Sequence, residues 1–189
     1  MSMRSLAPVL SLLLLASASA ACGEGATPPA VAEVEKVDGS QRTFGMNLKL
    51  SQEGVLKADL YADTALTRPG SDVTEVRGVR LVFFESEGGE PGTLTSKTGE
   101  YDQRTGIMVA RGNVVLVTAG QGGKGKRTIR TEELHYDQRG DRVWSDVETS
   151  MEQGGETLIS RRFTSDTRFT NVSGESGRTR GVRVNPETL

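Results

Sequence analysis

Four junctures of one kind recur along this chain at nearly constant spacing, and they limit the folds open to it more than any other feature. Gly78, Gly112, Asp146 and Gly181 lie 34, 34 and 35 residues apart. Each leads into a valine-bearing run: Arg77-Gly78-Val79-Arg80-Leu81, Arg111-Gly112-Asn113-Val114-Val115-Leu116, Ser145-Asp146-Val147, and Arg180-Gly181-Val182-Arg183-Val184. The tetrapeptide Tyr101-Asp102-Gln103-Arg104 returns as Tyr136-Asp137-Gln138-Arg139, offset by 35. Repeats of this length mean stacked supersecondary units, none of which buries its apolar face alone.

Between the junctures the apolar residues alternate. Phe44, Met46, Leu48 and Leu50 are interleaved with Gly45, Asn47 and Lys49, and Leu56, Ala58, Leu60 and Ala62 repeat the pattern beyond Gly54. Period two marks a strand with one buried face. Further β runs span 73–84, 107–118, 127–136, 143–151 and 157–163. They are separated by turn chemistry at Gly88-Gly89-Glu90-Pro91-Gly92, Arg104-Thr105-Gly106, Arg139-Gly140-Asp141 and Gly154-Gly155. Helical repeats of similar period are excluded by the β-branched alternation and by 23 glycines. Residues 31–36 form the only helix-like stretch, too short to hold alone. With 35% hydrophobic and 5% aromatic residues, the chain suits thin sheets better than a thick core. The expected fold is all-β: an elongated, open roll of repeats of about 34 residues, each unit two or three strands.

The first 22 residues read as an export signal. Arg4 supplies a positive start, residues 6–15 are apolar, and small residues lead to Cys22, the single cysteine. Three outcomes stand open. Cys22 is acylated as in a lipobox, or cleavage follows Ala18-Ser19-Ala20, or the segment stays as a short anchor. Residues 23–42, with Gly23, Gly25, Pro28 and Pro29, read as a tether. Residues 43–184 are then the β domain, and 185–189 a tail.

The formal net charge of −2 is mixed along the chain and gives no basic face, which argues against nucleic acid. Gly120-Gln121-Gly122-Gly123-Lys124-Gly125-Lys126 satisfies a phosphate-loop spacing, yet Arg127 stands where Ser or Thr must meet magnesium, and no helix follows. It reads as a hairpin tip. His135 is the sole histidine and lacks a cysteine partner, so no zinc site is expected. No nucleophile elbow occurs. Glu132, Glu133 and Asp137 read as solvated strand-end acids. No catalytic residue, cofactor or metal is expected.

What remains are apolar stripes expected to face inward: Phe44, Met46, Leu48 and Leu50; Leu56 and Leu60; Val79, Leu81 and Phe83; Met108, Val114 and Leu116; Leu134 and Tyr136; Val147 and Met151. From residues alone they are either the core of a sandwich or the lining of a groove in an open roll.

Thr98-Gly99-Glu100-Tyr101-Asp102, Val109-Ala110-Arg111-Gly112-Asn113-Val114 and Thr131-Glu132-Glu133-Leu134-His135-Tyr136-Asp137 carry a resemblance that favours the groove. A strand ending in Tyr-Asp that turns into a Gly-x-Val strand, repeated, resembles the lipopolysaccharide-export β-jellyroll family, which includes the LptC-type inner-membrane subunit and the LptA-type periplasmic bridge protein. The resemblance covers roughly residues 43–184. It implies a twisted jellyroll, open along one edge, that shelters acyl chains in the groove lined by the stripes above. It also implies a non-enzymatic periplasmic role, held to the membrane by the N-terminal segment, with the inner membrane favoured over the outer. The implied partners are lipopolysaccharide, the transmembrane permease subunits of the export machinery, and an LptA-type bridge protein met through end-to-end strand pairing. The alternative is a structural lipoprotein scaffold that binds other envelope proteins through its sheet edges.

Overall fold

The computed structural model describes residues 33–85, 91–119, 125–175 and 178–180. The leader with Cys22, the tether before Glu33, residues 86–90 and 120–124 of two expected turns, the fourth juncture at Gly181 and the tail lie outside them. The described residues form thirteen strands and no helix. They are β1 (Glu33–Val37), β2 (Ser40–Gln52), β3 (Val55–Thr67), β4 (Val73–Phe83), β5 (Gly92–Asp102), β6 (Ile107–Thr118), β7 (Arg127–Asp137), β8 (Arg142–Ser145), β9 (Thr149–Gln153), β10 (Glu156–Ser160), β11 (Arg162–Asp166), β12 (Ser173–Glu175) and β13 (Arg178–Arg180). The all-β expectation holds.

Every pairing is antiparallel, and neighbours in sequence are neighbours in space from β1 to β8. Over β4 to β8 each 34-residue step advances the sheet by two strands. Local turn chemistry sets this meander: Asp38-Gly39, Glu53-Gly54 and Gly154-Gly155 each place two successive residues in the left-handed region. That is the twist-matched two-residue hairpin turn. The Asp38-Gly39 turn also corrects the expected tether of 23–42, because it folds residues 33–37 back onto β2 as β1.

At β7 the sheet divides. Residues 127–131 pair with β9, while residues 135–137 pair with β8. From there one branch runs through β10 to β13 and the other through β11 to β12. The expected single runs 143–151 and 157–163 are each two strands, broken at 146–148 and at Arg161.

The division continues a crease that crosses every long strand. Register skips Gly45 opposite Asp63, Gly78 opposite Lys97, and Gly112-Asn113 opposite Glu132. Gly45, Gly78, Gly112 and Asn113 all have positive φ. Gly78 has a second constraint, since a Cβ there would sit 1.9 Å from Asp63 Oδ2. At Gly112-Asn113 the register also shifts, a bulge that bends the strand and re-aims its side chains; at Gly45 and Gly78 one facing pair drops out of the ladder without a shift. The sheet therefore folds over along one line into two leaves. The first leaf carries residues 46–62 of β2–β3, the 79–83 end of β4, the 92–96 end of β5, 114–118, 127–131, β9 and β10. The second carries β1, 40–44, 64–67, 73–77, 98–102, 107–111, 133–137, β8, β11 and β12. The junctures at Gly78 and Gly112 lie on this crease, and Asp146 lies where the sheet divides.

No helix among the described residues is long and apolar enough to cross a membrane.

Candidate functional site

The two leaves enclose a slot whose walls are rows of side chains in register. In the first leaf Leu48, Leu60, Leu81, Leu94, Leu116, Ile129, Met151 and Leu158 stand directly opposite one another across eight strands. At 4.7–4.9 Å per strand such a row runs about 34 Å. Leu60, Leu81, Leu116 and Ile129 are fully buried. Toward the crease the next row is slimmer: Ala62, Val79, Ser96, Val114, Thr131 and Thr149. Small residues fit there because the leaves converge.

The second leaf answers with Ala65, Val76, Gly99, Ala110 and Leu134. Toward the open side, Thr74, Tyr101, Met108, Tyr136 and Val143 form another row. All belong to or flank one continuous core. Within the slot the side chains of the two leaves are packed together. One cavity, between β9–β10 and β11–β12, is about 10 Å³, about one water at most.

The side opposite the crease is where the hairpin turns of both leaves meet as two lips. Gln138 bridges them, its Nε2 donating to the Ser51 carbonyl at 2.9 Å, while its Oε1 accepts from the Tyr101 hydroxyl at 3.3 Å. Phe83 from the first leaf meets Tyr136 and Phe169 from the second, each edge to face at 5.2 Å. Arg127 is buried on the first leaf's lip, its Nε donating to Gln153 Oε1 at 3.1 Å and its Nη1 to the Phe169 carbonyl at 3.4 Å. Burial pushes the Arg127 guanidinium below its usual range and the Tyr136 phenol well above its own.

Most residues expected to line the slot point into it: Leu50, Leu60, Val79, Leu81, Phe83, Met108, Val114, Leu116, Leu134 and Tyr136 are buried, and Met46, Leu48 and Met151 pack against them. Leu56 is half-buried at the lip end of β3. Two expectations are corrected. Phe44 is 37% exposed and points outward, because Gly45 at the crease breaks the alternation between Phe44 and Met46. It lines an outer hollow of about 320 Å³ with Arg42, Thr64, Leu66, Glu75 and Arg77. Val147 is 40% exposed because it sits in the break between β8 and β9. Leu94, Ile129, Phe163 and Phe169 line the slot without having been singled out. Leu94 and Ile129 sit among threonines, and only strand register aligns them with Leu81 and Leu116.

His135 lies on the outer face of the second leaf, as its alternation with Leu134 and Tyr136 requires. Its Nε2 is 2.9 Å from Glu133 Oε1, and its ring stacks on Trp144 at 4.9 Å. Arg142 covers the Trp144 ring. Arg111 binds Glu133 at 2.8 Å and Glu100 at 3.1 Å. The Arg111 guanidinium holds the Glu133 carboxyl below the usual carboxylate range. This cross-strand ladder ties β5 through β8 together. The described residues contain no group of three or more His, Cys, Asp or Glu side chains placed to hold a metal ion.

Comparison with known proteins places these observations. A search of curated proteins returned no significant match. Among solved structures, the chain is similar to LptH from Pseudomonas aeruginosa, described as the LptA-homologous periplasmic component of the conserved lipopolysaccharide transport device. The two share 17% identity over 62% of this chain and 80% of that one, with a TM-score of 0.48. The family described as "Lipopolysaccharide-assembly, LptC-related" matches residues 6–169, most of the chain. The chain belongs to the LptC-related lipopolysaccharide-assembly family.

Proposed function

We propose that this chain shelters the acyl chains of lipopolysaccharide between its two leaves and passes the lipid to the next jellyroll subunit. One observation carries the reading: the in-register row from Leu48 to Leu158, an unbroken apolar rail that runs along the long axis of the sheet. A core needs burial, but it does not need one row of large aliphatic side chains crossing eight strands. Each buried CH₂ is worth about 0.8 kcal/mol, so a 12-carbon chain laid on the rail gains roughly 9 kcal/mol before ordering costs. That is enough to hold a lipid and still release it.

As a member of its family, the chain is a non-enzymatic component of lipopolysaccharide assembly. The finer assignments belong to the proposal. The N-terminal segment holds the domain at the inner membrane, with Cys22 acylated or the segment left uncleaved. The sheet ends meet the permease subunits on one side and an LptA-type bridge protein on the other. Strand edges support this. β1 covers only residues 40–44 of β2, which leaves 46–52 without a partner on that side among the described residues. Such an edge is a template for an added strand.

Photo-crosslinkers at Leu81, Leu116 and Met151 should capture lipopolysaccharide in cells, and one at Phe44, on the outer face, should not. Capture at Phe44 alone would remove the conduit and leave an anchored scaffold. Mass analysis of the mature N-terminus, with membrane fractionation, settles the anchor.

A further inference from the structure

Phe169 differs from the other aromatic side chains that fill the slot because it does not come from a strand. It lies in the turn after β11 with φ +57°, a region a bulky side chain enters only under strain. Its ring is nonetheless buried, crossing from the second leaf into the first to meet Phe83 at 5.2 Å. The first leaf leaves room for it at Gly92, where a Cβ would sit 2.5 Å from the ring. Its carbonyl accepts the Arg127 guanidinium at 3.4 Å.

Outside the slot the same turn is closed on itself. Asp166 accepts from the Thr170 amide at 2.8 Å, the Thr170 hydroxyl at 2.6 Å and the Asn171 side-chain amide at 2.7 Å. These hydrogen bonds and the buried ring together hold the turn. The Phe169 ring fills the lip against Phe83 and Gly92, so an acyl chain enters there only if that ring gives way. One polar group near this turn also lacks a partner. Ser165, on the inner row of β11 opposite Val143, has a buried hydroxyl with no hydrogen bond among the described residues.

Resting on the reading above that the slot takes acyl chains, we propose that Phe169 is a resident plug which an anionic amphiphile displaces. The ring holds an acyl chain's place at the lip. When it leaves, Arg127 loses the Phe169 carbonyl and keeps Gln153 Oε1, and a buried guanidinium short of one acceptor is costly. A ligand phosphate replaces that acceptor with a charged one; an uncharged amphiphile offers only weaker, neutral acceptors. The plug thus selects for lipids with an anionic head group.

The test follows maleimide labelling of the full chain carrying Phe169→Cys and Cys22→Ser, so that residue 169 is the only thiol. Lipopolysaccharide should speed labelling at least fivefold, and dodecyl maltoside should leave it unchanged. Equal acceleration by both overturns the plug. On the unmodified chain, amide exchange over 166–171 should quicken when lipopolysaccharide binds; added protection overturns the plug without relying on a variant. A photo-crosslinker at Leu116 reports binding separately. Capture there with no change at residue 169 sinks the plug alone, and absence of capture sinks the acyl-chain reading with it.

Discussion

The rings of Phe83 and Tyr136 meet edge to face at 5.2 Å and 87°, although they stand on opposite leaves and 53 residues apart in sequence. Phe83 is fully buried there. Its removal takes away an inter-leaf contact as well as a core side chain. Phe83→Ala should lower unfolding free energy by about 3–5 kcal/mol, measured by urea denaturation. Phe44→Ala, on the outer face, should cost less than about 1 kcal/mol. Equal losses at the two sites would contradict the two-leaf arrangement.

The crease separates two glycines with the same backbone need. Gly45 and Gly78 have φ of +62° and +63°, but only Gly78 faces a close neighbour, Asp63. Gly45→Ala should cost about 1 kcal/mol for the left-handed backbone. Gly78→Ala should cost at least about 2 kcal/mol, and adding Asp63→Ala should restore only the steric part. Thermal melts of the three variants test this ordering; identical melting of the two single variants would refute it.

The repeated Tyr-Asp-Gln-Arg segments make equivalent turns. Asp102 Oδ1 accepts from the Arg104 and Thr105 amides, and Asp137 Oδ1 from those of Arg139 and Gly140, at 2.9–3.2 Å. Asp102→Ala and Asp137→Ala should each cost about 1 kcal/mol, while Asn, which keeps the Oδ1 acceptor, should avoid much of that loss. If both alanine variants denature at the wild-type midpoint, the side-chain caps contribute nothing.

Acid should loosen the Phe169 turn before the sheet. Burial alone would raise the Asp166 carboxyl, but hydrogen bonds from Thr170 and Asn171 outweigh it and hold the group below its ordinary value. A depressed folded pKa means the stabilisation is fully present above the unfolded value of about 3.9 and is lost as pH falls through the lower folded value. Protection of the Thr170 amide should therefore fall in the acid window that opens below about pH 4. Protection that is flat across that window, with the sheet intact, would show that Asp166 does not hold the turn.

How much of this was legible in the sequence depends on what each residue had to do. The strand at 107–118 could be bounded to the residue, because alternation and turn chemistry coincide there. β5 was visible only through the family resemblance, since Thr93, Thr95 and Thr98 dilute a strand whose large apolar residues are Leu94 and Tyr101. The recurring Gly78 and Gly112 junctures were plain, but their meaning as a crease was not. A period-two pattern cannot show that inward residues 62 and 65, or 76 and 79, are three apart. Phe44 was misassigned for that reason. The rail was only half visible: Leu81 and Leu116 stood out locally, while Leu94 and Ile129 join them only when four strands lie side by side. Phe169 gave no periodic signal because it reaches the slot from a turn.

Because the sheet folds at the same point in every long strand, its cross-section repeats as the chain advances. Each 34-residue unit adds two strands, roughly 10 Å of reach at the ordinary strand spacing. The length of the molecule is then a ruler read in hairpins. Evolution could lengthen or shorten the molecule by whole units, without redesigning the profile enclosed between the two leaves.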